Sequence, residues 1–573
     1  MEPRIKGWLR RDPDAETRRE LEALVARNDS AEIERRFKSR LEFGTAGLRG
    51  VLGAGPNRMN RLVIRETTSG LGEYLQTHVR DARQRGVVVA HDARRLSREF
   101  AADTAAVLSA QGFRVYLYGR EVPTPLGAFA VRALNAAAGV VVTASHNPPE
   151  YNGYKVYWED GAQIVPPHDH GIAEAIEQAS LAMIPFQELA DGEASGRVIR
   201  LGEEMIAKYL QGVRALSTRK PGALRKSYPI AYTPLHGVGA QVAEAALGAA
   251  GFENVSTVTA QRQPDGSFPT VRFPNPEEPG AMDMVMALAK KMRAPLAMAN
   301  DPDADRLAVA VQRPDGEYRR LTGDQIGVLL GAESIAQAPK NGILVSTIVS
   351  SRLLGVMAKA AGLEYAETLT GHKWIAHAGF AAEARGQKML FGYEEALGYT
   401  IGSLVRDKDG ISALVAFAEL GAACAEQGRS VYDRLTEIYR QHGFYLTGQK
   451  SIALDPDREG PTKGELLRRR PPTRIAGRDV ETVTDINVGE RRHEGGRVEK
   501  IDLPPSDVLV YELKNGSRVI VRPSGTEPKL KCYYEVVVPM GGSASYFEAE
   551  ARAQSQLTAL ASAHQQEIAA LSD

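Results

Sequence analysis

Short runs of β-branched and aliphatic residues, each set apart from the next by a helix-length stretch, constrain this chain more than any other feature. Val87-Val88-Val89, Val115-Tyr116-Leu117 and Val140-Val141-Val142 have the composition of strands buried on both faces, and the intervals between them suit crossover helices. The rhythm restarts at Pro229-Ile230-Ala231-Tyr232, passes through Val255-Ser256-Thr257-Val258 and reaches Pro295-Leu296-Ala297-Met298-Ala299. It restarts again at Ile343-Leu344-Val345, then at 365–369, then at Met389-Leu390-Phe391. Beyond Arg468-Arg469-Arg470-Pro471-Pro472, which reads as a solvated linker, the strands become short and closely spaced: Val508-Leu509-Val510-Tyr511, Arg518-Val519-Ile520-Val521 and 533–538, before a last helix. Asn515-Gly516 between the first two has the chemistry of a hairpin turn.

The pattern predicts an α/β chain with three successive mixed α/β domains and a smaller C-terminal α+β domain around a central cleft. The expected divisions are an N-terminal helical extension over 1–40, domain I over 41–215, domain II over 216–330, domain III over 331–460 and domain IV over 475–573. The extension is read from Leu21, Leu24, Val25 and Ile33 recurring among charged residues. A length of 573 residues suits about four cores.

Each expected domain carries one polar motif at a strand end, where open α/β sheets bind ligands. In domain I, Thr143-Ala144-Ser145-His146-Asn147-Pro148-Pro149 places a hydroxyl nucleophile on a loop stiffened by two prolines. With Lys155 close by, it reads as a phosphoryl-transfer site. Domain II offers Asp301-Pro302-Asp303-Ala304-Asp305-Arg306, whose carboxylates on extended chain project to one side. Three such anions call for a hard divalent cation, and Mg2+ suits a few carboxylates plus a phosphate oxygen. An EF-hand calcium loop fails here, because Arg306 stands where glycine is needed and Gln312 where the bidentate glutamate belongs. A haloacid-dehalogenase type of Asp-x-Asp is disfavoured by Asp305 itself.

Domain III offers Gly392-Tyr393-Glu394-Glu395-Ala396, where Glu394 and Glu395 are natural acceptors for sugar hydroxyls, and domain IV offers Arg522-Pro523-Ser524-Gly525-Thr526-Glu527-Pro528-Lys529. The backbone around Gly525, the hydroxyls of Ser524 and Thr526 and the forked guanidinium of Arg522 make a phosphate cradle. A glycine-rich loop with Thr45 and Arg49 is a further candidate for phosphate contact.

In this order the motifs Ser-His-Asn-Pro-Pro, Asp-Pro-Asp-Ala-Asp-Arg, Gly-Tyr-Glu-Glu and Arg-Pro-Ser-Gly-Thr resemble the α-D-phosphohexomutase family, in particular its long phosphoglucomutase branch with phosphopentomutase-like members. The resemblance runs from about Leu41 to the C-terminus. It implies that Ser145 carries a phosphoryl group and binds Mg2+ together with Asp301, Asp303 and Asp305. It also implies that Arg49 and Arg306 assist transfer, that Glu394 binds sugar hydroxyls, and that Arg522, Ser524, Gly525 and Thr526 clamp the distal phosphate. His146, Lys155 and Lys408 become candidates for handling the proton of the attacking hydroxyl. His372 and Lys373 are expected in the same cleft.

The implied activity interconverts glucose 1-phosphate and glucose 6-phosphate through a phosphoserine enzyme and a bisphosphate, with one Mg2+ per site and a sugar 1,6-bisphosphate as primer. Phosphopentomutase, phosphomannomutase or glucose 1,6-bisphosphate synthase activity on the same site are alternatives, as is a non-catalytic sugar-phosphate sensor. Ala396 replaces the serine of the family's Glu-x-Ser, which removes a hydroxyl from the sugar loop and loosens selectivity.

The partners implied by the resemblance are small sugar phosphates, and composition makes no case for others. Lys+Arg and Asp+Glu are equal at 71 each, so no basic field argues for nucleic acid. No apolar run approaches a membrane span, and no Gly-Lys dipeptide exists for a P-loop. Cys424 and Cys532 alone give no disulfide framework. His168-Asp169-His170, after Pro166-Pro167, reads as a surface loop. The expectation is a cytoplasmic monomer or weak oligomer.

Overall fold

The computed structural model describes residues 3–44, 47–217, 219, 222–453, 461–523, 529–542 and 544–571. The chain divides into two compact units, Met1–Leu321 with Leu397–Glu426, and Thr322–Ala396 with Gln427–Asp573.

The first unit begins with three short helices, Pro3–Arg11, Ala15–Ala26 and Ser30–Phe37. Their apolar faces bury Ile5, Trp8, Leu21, Leu24 and Ile33 in the same core as the first sheet. Glu66, fully buried on the helix Arg61–His78, accepts from Arg11 at 2.7 Å and is also paired with Arg40, which ties this extension down.

The first sheet runs Leu48–Val51, Tyr151–Tyr157, Ala138–Val142, Val87–His91, Val115–Tyr118, Val198–Leu201 from edge to edge. The valine-rich runs occupy its middle and pair in parallel, and both Val87–His91 and Ala138–Val142 are buried along their whole length. Tyr151–Tyr157 returns antiparallel to Ala138–Val142, with Lys155 opposite Val141, so residues 143–150 form the loop between two core strands. The second sheet orders Tyr318–Arg320, Leu307–Gln312, Leu296–Asn300, Ile230–Thr233, Val255–Thr257. Leu296–Asn300 and Leu307–Gln312 are antiparallel, and residues 301–306 make the connection between them.

In the second unit, Gly342–Thr347 pairs in parallel with Glu364–Thr368 on one side and Lys388–Glu394 on the other. The last sheet is antiparallel, in the order Phe444–Ala453, Lys529–Val538, Arg518–Pro523, Leu509–Leu513, Arg478–Asp485, Glu490–His493, Val498–Lys500. Phe444–Ala453 pairs along ten residues with Lys529–Val538 and so belongs to this sheet. The Asn515-Gly516 turn joins Leu509–Leu513 to Arg518–Pro523, with Gly516 at φ +81° as such a turn requires.

Two local expectations need correction. The basic run is no free linker: Lys463–Arg469 is a helix, opened by a reciprocal cap between Thr462 and Glu465, and Arg468 pairs with Asp485 at 3.1 Å. His168 is the first residue of the helix His168–Leu181, stacked on Trp158 with ring centres 4.0 Å apart. Among the described residues no helix is long and apolar enough to cross a membrane.

Candidate functional site

The end of the strand Ala138–Val142 delivers Ser145 into the interior, where it is 3% exposed. Its backbone turns through φ +52°, and its N–H donates to Thr143 Oγ1 at 2.9 Å. This conformation is uncommon for a side chain other than glycine, asparagine or aspartate. The hydroxyl donates to Asp301 Oδ2 at 2.8 Å and lies 3.1 Å from His146 Nδ1.

Asp301, Asp303 and Asp305 are fully buried and offer carboxylate oxygens within 4.8 Å of one another. They converge through a tight turn and not by alternation along an extended strand: Ala304 sits at φ +55°, its N–H donates to Asp301 O at 2.8 Å, and Arg306 N donates to Asp301 Oδ1 at 3.0 Å. Lys155 Nζ donates to Asp303 Oδ2 at 2.7 Å and to Asp305 Oδ2 at 2.8 Å. Lys408 Nζ stands 3.0 Å from the same Asp305 oxygen.

Two oxygens of this group, Asp303 Oδ1 and Asp305 Oδ1, are buried with no hydrogen-bond partner among the described residues. Orphaned buried carboxylate oxygens are costly unless something satisfies them. An all-oxygen set of hard donors, with the Ser145 hydroxyl bonded to one member, fits a divalent cation of the Mg2+ kind. The electrostatics agree: burial and the neighbouring carboxylates push Asp301 well above the usual carboxylate range. Burial would also raise Asp303 and Asp305, but Lys155 outweighs it at the first and the two lysines at the second, so both stay low. Burial alone would lower Lys155 and Lys408, yet the carboxylates hold both above the ordinary lysine value. His146 goes the other way, lowered by burial and by Arg306 and Arg49.

Arg49, on the edge strand Leu48–Val51, donates from Nη1 to Asn147 Oδ1 at 3.0 Å, and Arg306 Nη1 stands 3.7 Å from Glu277 Oε2. Ser145, His146, Lys155, Lys408, Arg49, Arg306 and the three aspartates thus all lie in the first unit. His372, Lys373, Glu394, Glu395 and Arg522 lie in the second. His372 and Lys373 open the helix His372–Ala384 and are buried. Glu394 ends the strand Lys388–Glu394, while Glu395 Oε2 accepts from Ser350 Oγ at 3.1 Å and Thr347 Oγ1 at 3.3 Å. Burial and the adjacent Glu394 push Glu395 up to about 8. Arg522 is half-buried near the end of Arg518–Pro523. Thr45, Ser524, Gly525 and Thr526 lie outside the described residues.

Three residues were not singled out from sequence. Thr124 donates from Oγ1 to Asp303 Oδ2 at 2.7 Å and from N to Asp303 O at 2.9 Å, fixing the middle aspartate from domain I. Asp407 accepts from Tyr157 at 2.9 Å and Gln163 at 2.7 Å, which pins the loop bearing Lys408. Arg94 lies beneath the Ser145 loop and donates to Ser145 O at 2.6 Å. A signal for the last was present: Asp92-Ala93-Arg94 follows directly on the buried strand Val87–His91, apolar up to its last residue.

Four family models match the chain in order. They describe phosphoglucomutase/phosphomannomutase alpha/beta/alpha domain I over residues 40–183, domain II over 207–316, domain III over 322–442 and the C-terminal domain over 477–553. A probable phosphoribomutase of Schizosaccharomyces pombe is 38% identical over 549 residues, 92% of each chain. A phosphopentomutase of Homo sapiens is 35% identical over 565 residues, 94% of this chain and 91% of that protein. A glucose 1,6-bisphosphate synthase of Mus musculus is 33% identical over 575 residues, 96% of this chain and 92% of that one.

Proposed function

Since the chain belongs to the phosphoglucomutase/phosphomannomutase family, we propose that it is a Mg2+-dependent phosphosugar mutase working through a phosphoryl group on Ser145. The observation that carries this reading is the buried Ser145 hydroxyl, 2.8 Å from one of three convergent aspartates, two of which each keep one oxygen, Asp303 Oδ1 and Asp305 Oδ1, without a hydrogen-bond partner among the described residues.

In the first half-reaction the bond between phosphorus and Ser145 Oγ breaks as a sugar hydroxyl oxygen takes the phosphoryl group, and the proton which that hydroxyl loses ends on the freed Ser145 Oγ. In the second half the bisphosphate returns its other phosphoryl to Ser145, the freed sugar oxygen takes up a proton, and the Ser145 hydroxyl proton must leave. His146 Nδ1, at 3.1 Å from Oγ, is placed to accept it. Lys155 and Lys408 are engaged as counter-ions to Asp303 and Asp305, so their part is to hold the carboxylates. A cation held by Asp301, Asp303 and Asp305 would neutralise charge on the transferred phosphoryl, which is what such transfers need most. Glu394, Glu395, His372, Lys373 and Arg522 with its following loop are assigned to the sugar and its distal phosphate.

For the sugar, we take ribose 1-phosphate and ribose 5-phosphate as the preferred pair, supported by the likeness to a phosphoribomutase and a phosphopentomutase at 38% and 35% identity. The glucose 1-phosphate and 6-phosphate pair expected from sequence is the second reading, favoured by the likeness to a glucose 1,6-bisphosphate synthase. Phosphorus NMR with Mg2+ and a trace of glucose 1,6-bisphosphate tests both. The expected result is conversion of ribose 1-phosphate with a higher kcat/KM than glucose 1-phosphate, and none with Ser145→Ala. A preference for glucose 1-phosphate reverses the sugar assignment, and turnover by Ser145→Ala removes the phosphoserine mechanism.

A further inference from the structure

Ser145 stands on a loop of eight residues between two core strands, in a backbone conformation that its own side chain disfavours. One side chain gathers that loop from below. Arg94, 4% exposed, donates from Nη2 to Ser145 O and Asn147 O, each at 2.6 Å, and from Nη1 to Pro148 O at 2.8 Å and Tyr151 O at 3.3 Å. Three carbonyls of the nucleophile's loop, and that of Tyr151 at the start of the next strand, thus meet on a single guanidinium. Only a planar fork with fixed donor directions can serve four carbonyls at once; an ammonium group has three donors and no flat face.

The fork is itself locked. Asp92 Oδ2 stands 3.3 Å from Arg94 Nε, while Asp92 Oδ1 accepts from Arg94 N at 3.0 Å and Ser97 Oγ at 2.6 Å. The guanidinium carbon lies over the ring of Phe268, 4.9 Å from its centre. Phe268 comes from the part of the chain that builds the second sheet, and it is held at φ +48° with 3% exposure. The turn before it touches the Arg94 backbone so closely that a Cβ on Gly266 would lie 2.7 Å from Ala93 O and 2.8 Å from Arg94 Cα. From there contact continues towards the aspartates. Thr270 Oγ1 meets His236 Nε2 at 2.8 Å, and a Cβ on Gly237 would lie 2.3 Å from Pro302 Cα. An unbroken packed path therefore joins the Ser145 loop to the Asp301–Asp305 turn around the back of the site.

We propose that Arg94, backed by Phe268, is the positioning residue that sets Ser145 Oγ against the Asp301 turn for phosphoryl transfer. It touches neither sugar nor phosphoryl; it acts by fixing where the nucleophile stands. The proposal rests on the phosphoserine reading above for its kinetic consequence, but not for its structural one.

Two variants and two readouts test it. Hydrogen exchange on metal-free, unphosphorylated protein reads the loop alone: Arg94→Lys should speed exchange over residues 143–155 by about tenfold or more while leaving the rest of the first sheet unchanged. Single-turnover transfer from the phosphorylated protein to ribose 1-phosphate and to glucose 1-phosphate reads the consequence. A nucleophile displaced by about 1 Å should cost about a hundredfold in rate with KM little changed. Phe268→Leu, which keeps an apolar side chain but removes the flat face, should act in the same direction by about tenfold on both readouts. Wild-type transfer and exchange in a folded Arg94→Lys protein would overturn the proposal. So would a general rise in exchange with transfer per folded molecule unchanged, which is what mere structural support would give. Should Arg94→Lys fail to fold, an unaltered Phe268→Leu protein overturns it equally. If the wild type itself transfers nothing from Ser145 to either sugar, the mutase reading falls, while the exchange arm still decides the role of Arg94.

Discussion

Lys155 and the carboxylates of Asp303 and Asp305 are all buried, at 6%, 0% and 0% side-chain exposure, so none of them can be removed without leaving an uncompensated charge. Removing one partner of a buried pair typically costs about 3–5 kcal/mol. Lys155→Met should therefore lower the unfolding free energy of the metal-free protein by about that amount in denaturant titration. Adding Mg2+ should recover part of it, because an ion bound by the folded protein alone stabilises it by mass action. No gain in the stability of either protein on adding Mg2+ would count against the three aspartates as a cation site. A second buried group acts through pH. His564 is 2% exposed, with Tyr534 Oη 3.0 Å from Nδ1, and burial pushes its imidazole down to about 4. The fold favours the neutral ring, so its contribution is complete above the unfolded value of about 6.5 and is lost as pH falls from there towards 4, a change of about 3 kcal/mol. His564→Phe should flatten the pH dependence of unfolding across that window.

Among the elements, Arg61–His78 shows how much one side chain at a helix start can hold. Asn60, itself at zero exposure, accepts at Oδ1 from Val63 N at 2.9 Å and donates from Nδ2 to Gly53 O and Gly55 O, each at 2.9 Å. Asn60→Ala loses the cap and leaves buried carbonyls unsatisfied, for an expected loss of about 2–4 kcal/mol. Asn60→Asp keeps the acceptor and should fall between the two in thermal or denaturant unfolding. The sequence made some elements plain because a single force decides them. Strands buried on both faces must be largely apolar, so Val87–His91 and Ala138–Val142 stand out. The Asn515-Gly516 turn is equally plain, since few residue pairs accept its backbone. The helix Lys463–Arg469 was hidden by its charge, although Thr462 and Glu465 at capping-box spacing were visible before it.

At the scale of the whole molecule, the site was legible as separate motifs and illegible as an assembly. Ser145 and the three aspartates announce themselves by residue type at strand ends. That Lys155 would bridge Asp303 and Asp305, 148 and 150 residues away, follows only from packing two sheets in one unit. Arg94 and Thr124 escaped because they recognise backbone or a single carboxylate, and such bonds leave no pattern in spacing. Membership of the family fixes the class of chemistry, and the phosphoryl group on Ser145 is the claim on which the rest depends. The most direct measurement is peptide mass spectrometry of the purified protein after incubation with glucose 1,6-bisphosphate and Mg2+, before and after a chase with ribose 1-phosphate. The account predicts one phosphoryl group on the peptide containing Ser145, discharged by the chase with ribose 5-phosphate appearing in solution. An unmodified Ser145 in protein that is turning over would contradict it.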